Sequence, residues 1–283
     1  MMTTQTLHNQ LLSLVGGDPP AEPTLWLSSV ILGILACKTD SEWMALAERL
    51  SVNLQVYNLM KVVSPLIPPY TRLSKLEKVE WNNRGFSTAH AIVISVASSY
   101  FLFFSDLFKD DVPHGPVLFR SSVTSQAILG MSVGYFISDL AMILWFYPKL
   151  GGKEYVIHHA FSMLSLNLSF FSGEGNFYVY IVLLSEVTTP FVNLRWYLST
   201  AGMKRTRAYT INGVSLFFGW MMARVLLFVY LFIHLYGHFD QVRKLSRGPH
   251  YCLLIVPPCL AIMNIAWFFK IVKGMLKTLS KKV

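Results

Sequence analysis

The feature that most constrains this chain is a succession of apolar runs, each near the roughly 20 residues a helix needs to cross a bilayer. Short polar breaks separate them. The runs are Leu50–Ile67, Phe86–Phe104, Gln126–Tyr147, Tyr155–Phe171, Phe177–Leu198, Ile211–Tyr236 and Tyr251–Val272. An earlier run, Thr24–Cys37, is short for a span and is followed by charged residues; it reads as a re-entrant or interfacial stretch, or a tilted extra span. Lipid offers the backbone no hydrogen-bond partners, and the alternating pattern of a barrel is absent, so the runs must be helices. The expected fold class is all-α, a multi-pass transmembrane helical bundle with about one or two N-terminal hydrophobic segments. A mean hydropathy of +0.46, with only 14% charged residues, agrees with a membrane class.

Charge gives the orientation. One alternating set of connections holds Arg72, Lys75, Lys78 and Arg84, then Lys149 and Lys153, then Lys204, Arg205 and Arg207, and finally Lys273, Lys277, Lys281 and Lys282. The other set is poorer in Lys and Arg, so the first set and the C-terminus are expected in the cytosol. The net charge of +9 is spread over loops and not clustered, which excludes a nucleic-acid interface as the natural reading. The three cysteines, Cys37, Cys252 and Cys259, show neither zinc-ligand nor paired spacing. The N-terminus lacks the basic segment of a secretory signal. The chain divides into an N-terminal segment (1–49), a first helix with its linker (50–75), a main domain (76–277) and a basic tail (278–283).

Ionisable side chains at bilayer depth cost roughly 2.5–3.5 kcal/mol each on insertion scales, so those present need a reason. They are His90, Asp139, His158, His159, Glu186, Arg224 and His234, with Asn193 and Asn264 as uncharged companions. Counting about 1.5 Å per residue, all but Arg224, His234 and Asn264 fall in the cytosolic half, so they can form one polar cluster open to that side. Glu186, Thr189 and Asn193 share a helix face, and Pro190 frees a carbonyl beside them. Arg224 lies at a depth similar to Glu186, which makes the two a candidate ion pair. A bundle-holding role for that pair stands beside a reactive one. Metal is not expected: the adjacent histidines point about 100° apart on a helix, and the HxxxH pair His234/His238 lies across the membrane from the others.

Four blocks then occur in order: "EWNNRGFSTAHA" (80–91), "GYFISDLAMIL" (134–144), "YVIHHAFSML" (155–164) and "LLSEVTTPFVNLRW" (183–196). Together they resemble the TLC domain shared by ceramide synthases and several smaller membrane proteins. The resemblance covers roughly residues 76–277. It implies six core helices around a cavity, residence in the endoplasmic reticulum or a related membrane, and a role in lipid handling. In ceramide synthases a histidine pair and downstream acids serve N-acylation of a sphingoid base by acyl-CoA, and His158 and His159 match that pair by position. Asp139 or Glu186 would orient them; His90, Asn193, Thr189 and Arg224 would contact the substrate. Ceramide synthases carry two aspartates after the pair, whereas this chain offers Glu186 and then Thr188, Thr189 and Asn193.

Three functions follow as expectations. The first in order is a lipid-homeostasis protein holding a lipid or acyl chain in an intramembrane cavity. The second is an acyltransferase using His158 or His159, with acyl-CoA as co-substrate and no bound cofactor. The third is a trafficking or cargo receptor, for which the ending "LSKKV" would matter.

Overall fold

In the computed structural model the described residues are 53, 55–109 and 115–280. The 24–37 run, the rest of the N-terminal segment and the final Lys281–Val283 lie outside them. Among the described residues the secondary structure is helical, with no strand. Helix α1 (55–63) presents one face to the bundle: Tyr57 is buried edge-on against Phe86, while Gln55 and Asn58 are exposed. Asn53, just before it, donates from Nδ2 to the Met131 carbonyl at 3.2 Å.

Six further helical rods follow. Helix α2 (Lys75–Ser99) runs on through a π-turn at Tyr100–Phe104, α3 is Val123–Trp145, and α4 is Lys153–Ser172. The fourth rod is interrupted: α5 (Asn176–Leu184), a 3-10 turn at Ser185–Thr188, then α6 (Thr189–Thr200). The fifth is α7 (Arg207–Trp220), a π-turn at Met221–Leu226, and α8 (Leu227–Gly237); the sixth is α9 (Arg247–Ser280). Going round the bundle, α2 packs on α3, α3 on α4, α4 on α9, α9 on α7, α7 on α6, and α6 on α2. The ring is closed, as expected for a six-helix core.

Five of the rods are long and apolar enough to cross a membrane, and α4 is not among them. Its 20 residues reach about 30 Å, but Lys153, Glu154, His158, His159 and Asn167 lower its hydropathy. It packs on α3 and α9, burying Ser162, Leu166 and Ser169, while Tyr155, Ile157, Leu164 and Phe171 stay exposed.

Local signals explain the boundaries. Helix α2 begins eleven residues before its apolar run because Ser74 and Glu77 form a capping box, satisfying the first orphan N–H groups. Helix α3 opens on a similar reciprocal pair, Ser122 and Ser125. The turn between α4 and α5 places Gly173 and Gly175 at φ near +72° and +71°, where a Cβ would be strained. Gly175 N–H then donates to the Leu118 carbonyl at 2.7 Å.

The two ends differ. At the end carrying that glycine turn, Phe101, Phe108, Leu118, Leu129, Phe177, Tyr178, Tyr180 and Ile181 fill the interior. Tyr180 donates its hydroxyl to the Ser125 carbonyl at 2.7 Å, and the buried Arg120 guanidinium ties the connecting loop by donating to the Gly115 and Lys109 carbonyls. At the opposite, basic end the ring is hollow.

Candidate functional site

The hollow is a cavity of about 270 Å³, walled by every rod of the ring. Its lining includes His158, His159, Asp139, Glu186, Thr189, Asn193 and Arg224, so seven of the eight residues singled out from the sequence converge there. His90 does not line it. That side chain is buried behind Tyr135, stacked on its ring at 3.8 Å, with Nε2 at 3.2 Å from Ser132 Oγ. Depth along α2 placed His90 level with the cluster; its direction around the helix turns it into the α2–α3 interface instead.

The adjacent histidines are not equivalent. His159 Nε2 lies 2.6 Å from Asp139 Oδ2, and its Nδ1 lies 2.9 Å from the Tyr155 carbonyl. A carbonyl only accepts, so Nδ1 carries a proton, and the short contact on the other side holds a proton between ring and carboxylate. No lone pair of His159 is left for a ligand. Asp139 is fixed in turn by Asn83, which donates from Nδ2 to Oδ1 at 2.8 Å. His158, about 100° from it round α4, stands edge to face with Trp267, the ring centroids 5.3 Å apart, and its buried Nδ1 has no hydrogen-bond partner.

Glu186 and Arg224 are joined, Nη2 to Oε1, at 3.0 Å. The remaining groups are engaged. Thr189 donates to Glu186 Oε2 at 2.6 Å, Arg224 Nε donates to Thr188 Oγ1 at 2.7 Å, and the guanidinium lies over the Trp220 ring. Both charges sit on irregular backbone. Glu186 is in the 3-10 turn that Pro190 imposes, where its carbonyl accepts from Thr189 N–H in place of the missing Pro190 donor, and Arg224 is in the π-turn. A buried pair of this kind is kept by its hydrogen bonds, because its attraction alone does little more than offset desolvation.

Asn193 lines the cavity, but its amide is used between helices. Nδ2 donates to Arg84 O, Ser87 Oγ and Thr88 Oγ1, and Oδ1 accepts from Arg84 Nη1. Sequence reading missed Glu80, Asn83, Arg84 and Ser87, which it left in a loop or at a span end. The Ser74/Glu77 capping box was the signal that α2 starts early enough to carry them into the wall. Lys270 and Trp267, on α9, complete the rim.

A second chamber adjoins the first. It is narrow, about 60 Å³, and it shares Phe136, His158, Glu186 and Arg224 with the larger cavity. From there it runs along α4 through Ser162, Leu166 and Ser169 to Gly175 and Pro249, opposed by Val182, Phe228 and Leu260. His158 to Ser169 spans about 16 Å at 1.5 Å per residue. Among the described residues, no three His, Cys, Asp or Glu side chains converge as a metal-holding group.

The chain matches the family model described as TLC domain over residues 80–273. Similar curated proteins include TLC domain-containing protein 4 of Homo sapiens, 29% identical over 217 residues, covering 75% of this chain and 80% of that one. TLC domain-containing protein 4-B of Xenopus laevis is 28% identical over 214 residues, covering 74% and 79%. TLC domain-containing protein 4 A of Dictyostelium discoideum is 24% identical over 212 residues, covering 74% and 80%. No solved structure matches.

Proposed function

The chain belongs to the TLC domain family, and from that premise we propose that it acts in lipid homeostasis by holding a membrane lipid or fatty acyl chain inside the bundle. One observation carries this reading: a cavity that holds charged side chains adjoins an apolar chamber, with His158, Phe136, Glu186 and Arg224 lining both. An amphiphile needs that pairing of environments. Its headgroup would sit among Asn83, Asp139, Glu186 and Arg224, and its chain would follow Leu166 and Val182, with the narrow chamber widening by side-chain rearrangement as apolar area is buried. The positive-inside rule puts the basic end, and with it the cavity mouth, in the cytosol. The membrane in this reading is the endoplasmic reticulum or a related endomembrane.

The test is the lipid content of the protein purified in mild detergent. Val182→Trp fills the chamber without touching a charge. The wild type should carry stoichiometric lipid and the variant much less, with both folded by thermal melting. Equal lipid in the two would overturn the reading.

A second reading, acyl transfer of ceramide-synthase type, is favoured by His158, which lines both the cavity and the chamber and whose Nδ1 has no hydrogen-bond partner. As a neutral imidazole it would take the proton of an amine attacking the thioester carbonyl of acyl-CoA; the new amide bond forms as the carbon–sulfur bond breaks, and the thiolate leaves with a proton. His159 and Asp139 would hold the adjoining wall. Intact-mass and product analysis after adding acyl-CoA and a sphingoid base tests this. Turnover lost in His158→Ala supports transfer, and no product or adduct from the folded wild type leaves binding alone.

A further inference from the structure

Outside the cavity, a separate groove of about 210 Å³ lies at the basic end between α7 and α9, with α6 at its base. Arg195 forms the floor. Its guanidinium is half-buried, lies 4.3 Å above the Tyr209 ring, and has no carboxylate partner among the described residues. The guanidinium packs against Gly213: a Cβ at that position would lie 2.6 Å from Arg195 Nη1, so a larger residue there would displace its tip. Lys270 stands on the facing wall with its side chain 70% exposed, 4.0 Å from Glu154. Met275 and Val214 make the outer part apolar, and Val214 is exposed on the bundle surface.

Charge decides what fits. From Val187 to Val283 the sequence contains a single acid, Asp240, which lies at the other end of the bundle, between α8 and α9. The same stretch places Arg195, Lys204, Arg205, Arg207, Lys273 and Lys277 at the basic end. A partly exposed guanidinium with no carboxylate partner is open to an incoming anion, and its fork suits two oxygens of one phosphate. An apolar outer wall at bilayer depth suits the acyl part of the same molecule.

We propose that this groove binds the phosphate of an anionic phospholipid from the surrounding leaflet, Arg195 and Lys270 gripping the headgroup while its chains lie against Val214 and Met275. The site is distinct from the proposed lipid cavity. Leu216, Lys270 and Ile271 border both, but Arg195 and Gly213 line only the groove.

Native mass spectrometry from mild detergent tests it, with palmitoyl-oleoyl phosphatidic acid and phosphatidylcholine added in turn. The anionic lipid should form the stronger adduct. Arg195→Gln should weaken that adduct about tenfold, the scale of one lost charge-assisted phosphate contact. Gly213→Val keeps every charge but pushes the guanidinium tip out of the groove, and it should weaken binding to a similar degree. Arg205→Gln, in the adjoining loop, should change it less than about twofold, as expected for an exposed charge. If Arg195→Gln does not fold, Gly213→Val carries the test. Equal adducts for the two lipids, or an anionic adduct unaffected by Gly213→Val, would overturn the proposal. So would displacement of the lipid by millimolar inorganic phosphate, which would assign the groove to a soluble anion.

Discussion

The two ends of the bundle use the same ring of helices for opposite purposes. At the glycine-turn end, aromatic and aliphatic side chains from the rods and the loops close the interior, and the buried polar groups of Arg120, Asn176 and Tyr180 donate to backbone carbonyls. At the basic end, titratable groups from α3, α4 and the two irregular turns surround open space, and one of them, His158, has no polar partner. The contrast teaches that polar groups in this interior come in two kinds. Some are consumed by the fold and some are left over. Position in the chain does not separate them, since His158 and His159 are neighbours and fall into different kinds.

The largest effect should come from the packed end. Tyr180→Ala opens a void around Phe101 and Phe108 and removes the hydroxyl's hydrogen bond to the Ser125 carbonyl, so it should cost about 4 kcal/mol, within the range for aromatic truncation in a core. Mixed-micelle denaturation would measure it. A cost below about 1 kcal/mol would show that this end is no more closely packed than the other.

Next comes the partition between the chambers. Glu186→Ala leaves Arg224 buried without its counter-charge and should cost about 3 kcal/mol, whereas Glu186→Ala with Arg224→Met should recover most of that. The double variant should lose headgroup binding while keeping its fold. If the double variant is as unstable as the single one, the pair holds the bundle by shape and not by charge compensation.

Asp139→Asn comes third. It removes the carboxylate from His159 and weakens the Asn83 contact, at about 2 kcal/mol, the scale of a charge-assisted hydrogen bond. The smallest effect should be that of His158→Ala, under about 1 kcal/mol, because no hydrogen bond is lost. Comparing these two by thermal melting separates the neighbours. Equal losses of stability would remove the distinction between a structural His159 and an available His158.

Much of this was legible before any coordinates. Hydropathy and the polar breaks placed the six rods, and depth counting brought Asp139, His158, His159 and Glu186 into the same half of the membrane because a helix has a fixed rise. The Glu186–Arg224 pairing followed from the same count. What the count lacks is azimuth around the bundle. It therefore put His90 with the cluster, when its ring faces Ser132 and Tyr135, and it could not tell His158 from His159. Glu80, Asn83 and Arg84 were missed because hydropathy marks where apolar residues begin, not where a capped helix begins. The narrow chamber left no trace in the sequence: Leu166, Val182 and Phe228 look like any other core or lipid-facing residues until their neighbours are placed.

The central claim is that the hollow basic end and the narrow chamber hold one amphiphile between them. An experimental density map of the protein in lipid nanodiscs tests that most directly. The account predicts elongated density entering from the basic end, broad beside Asp139 and Arg224, and continuing past His158 and Phe136 toward Ser169. A map in which the chamber is closed by side chains and the cavity holds only water-sized features, with lipid confined to the outer surface, would contradict it.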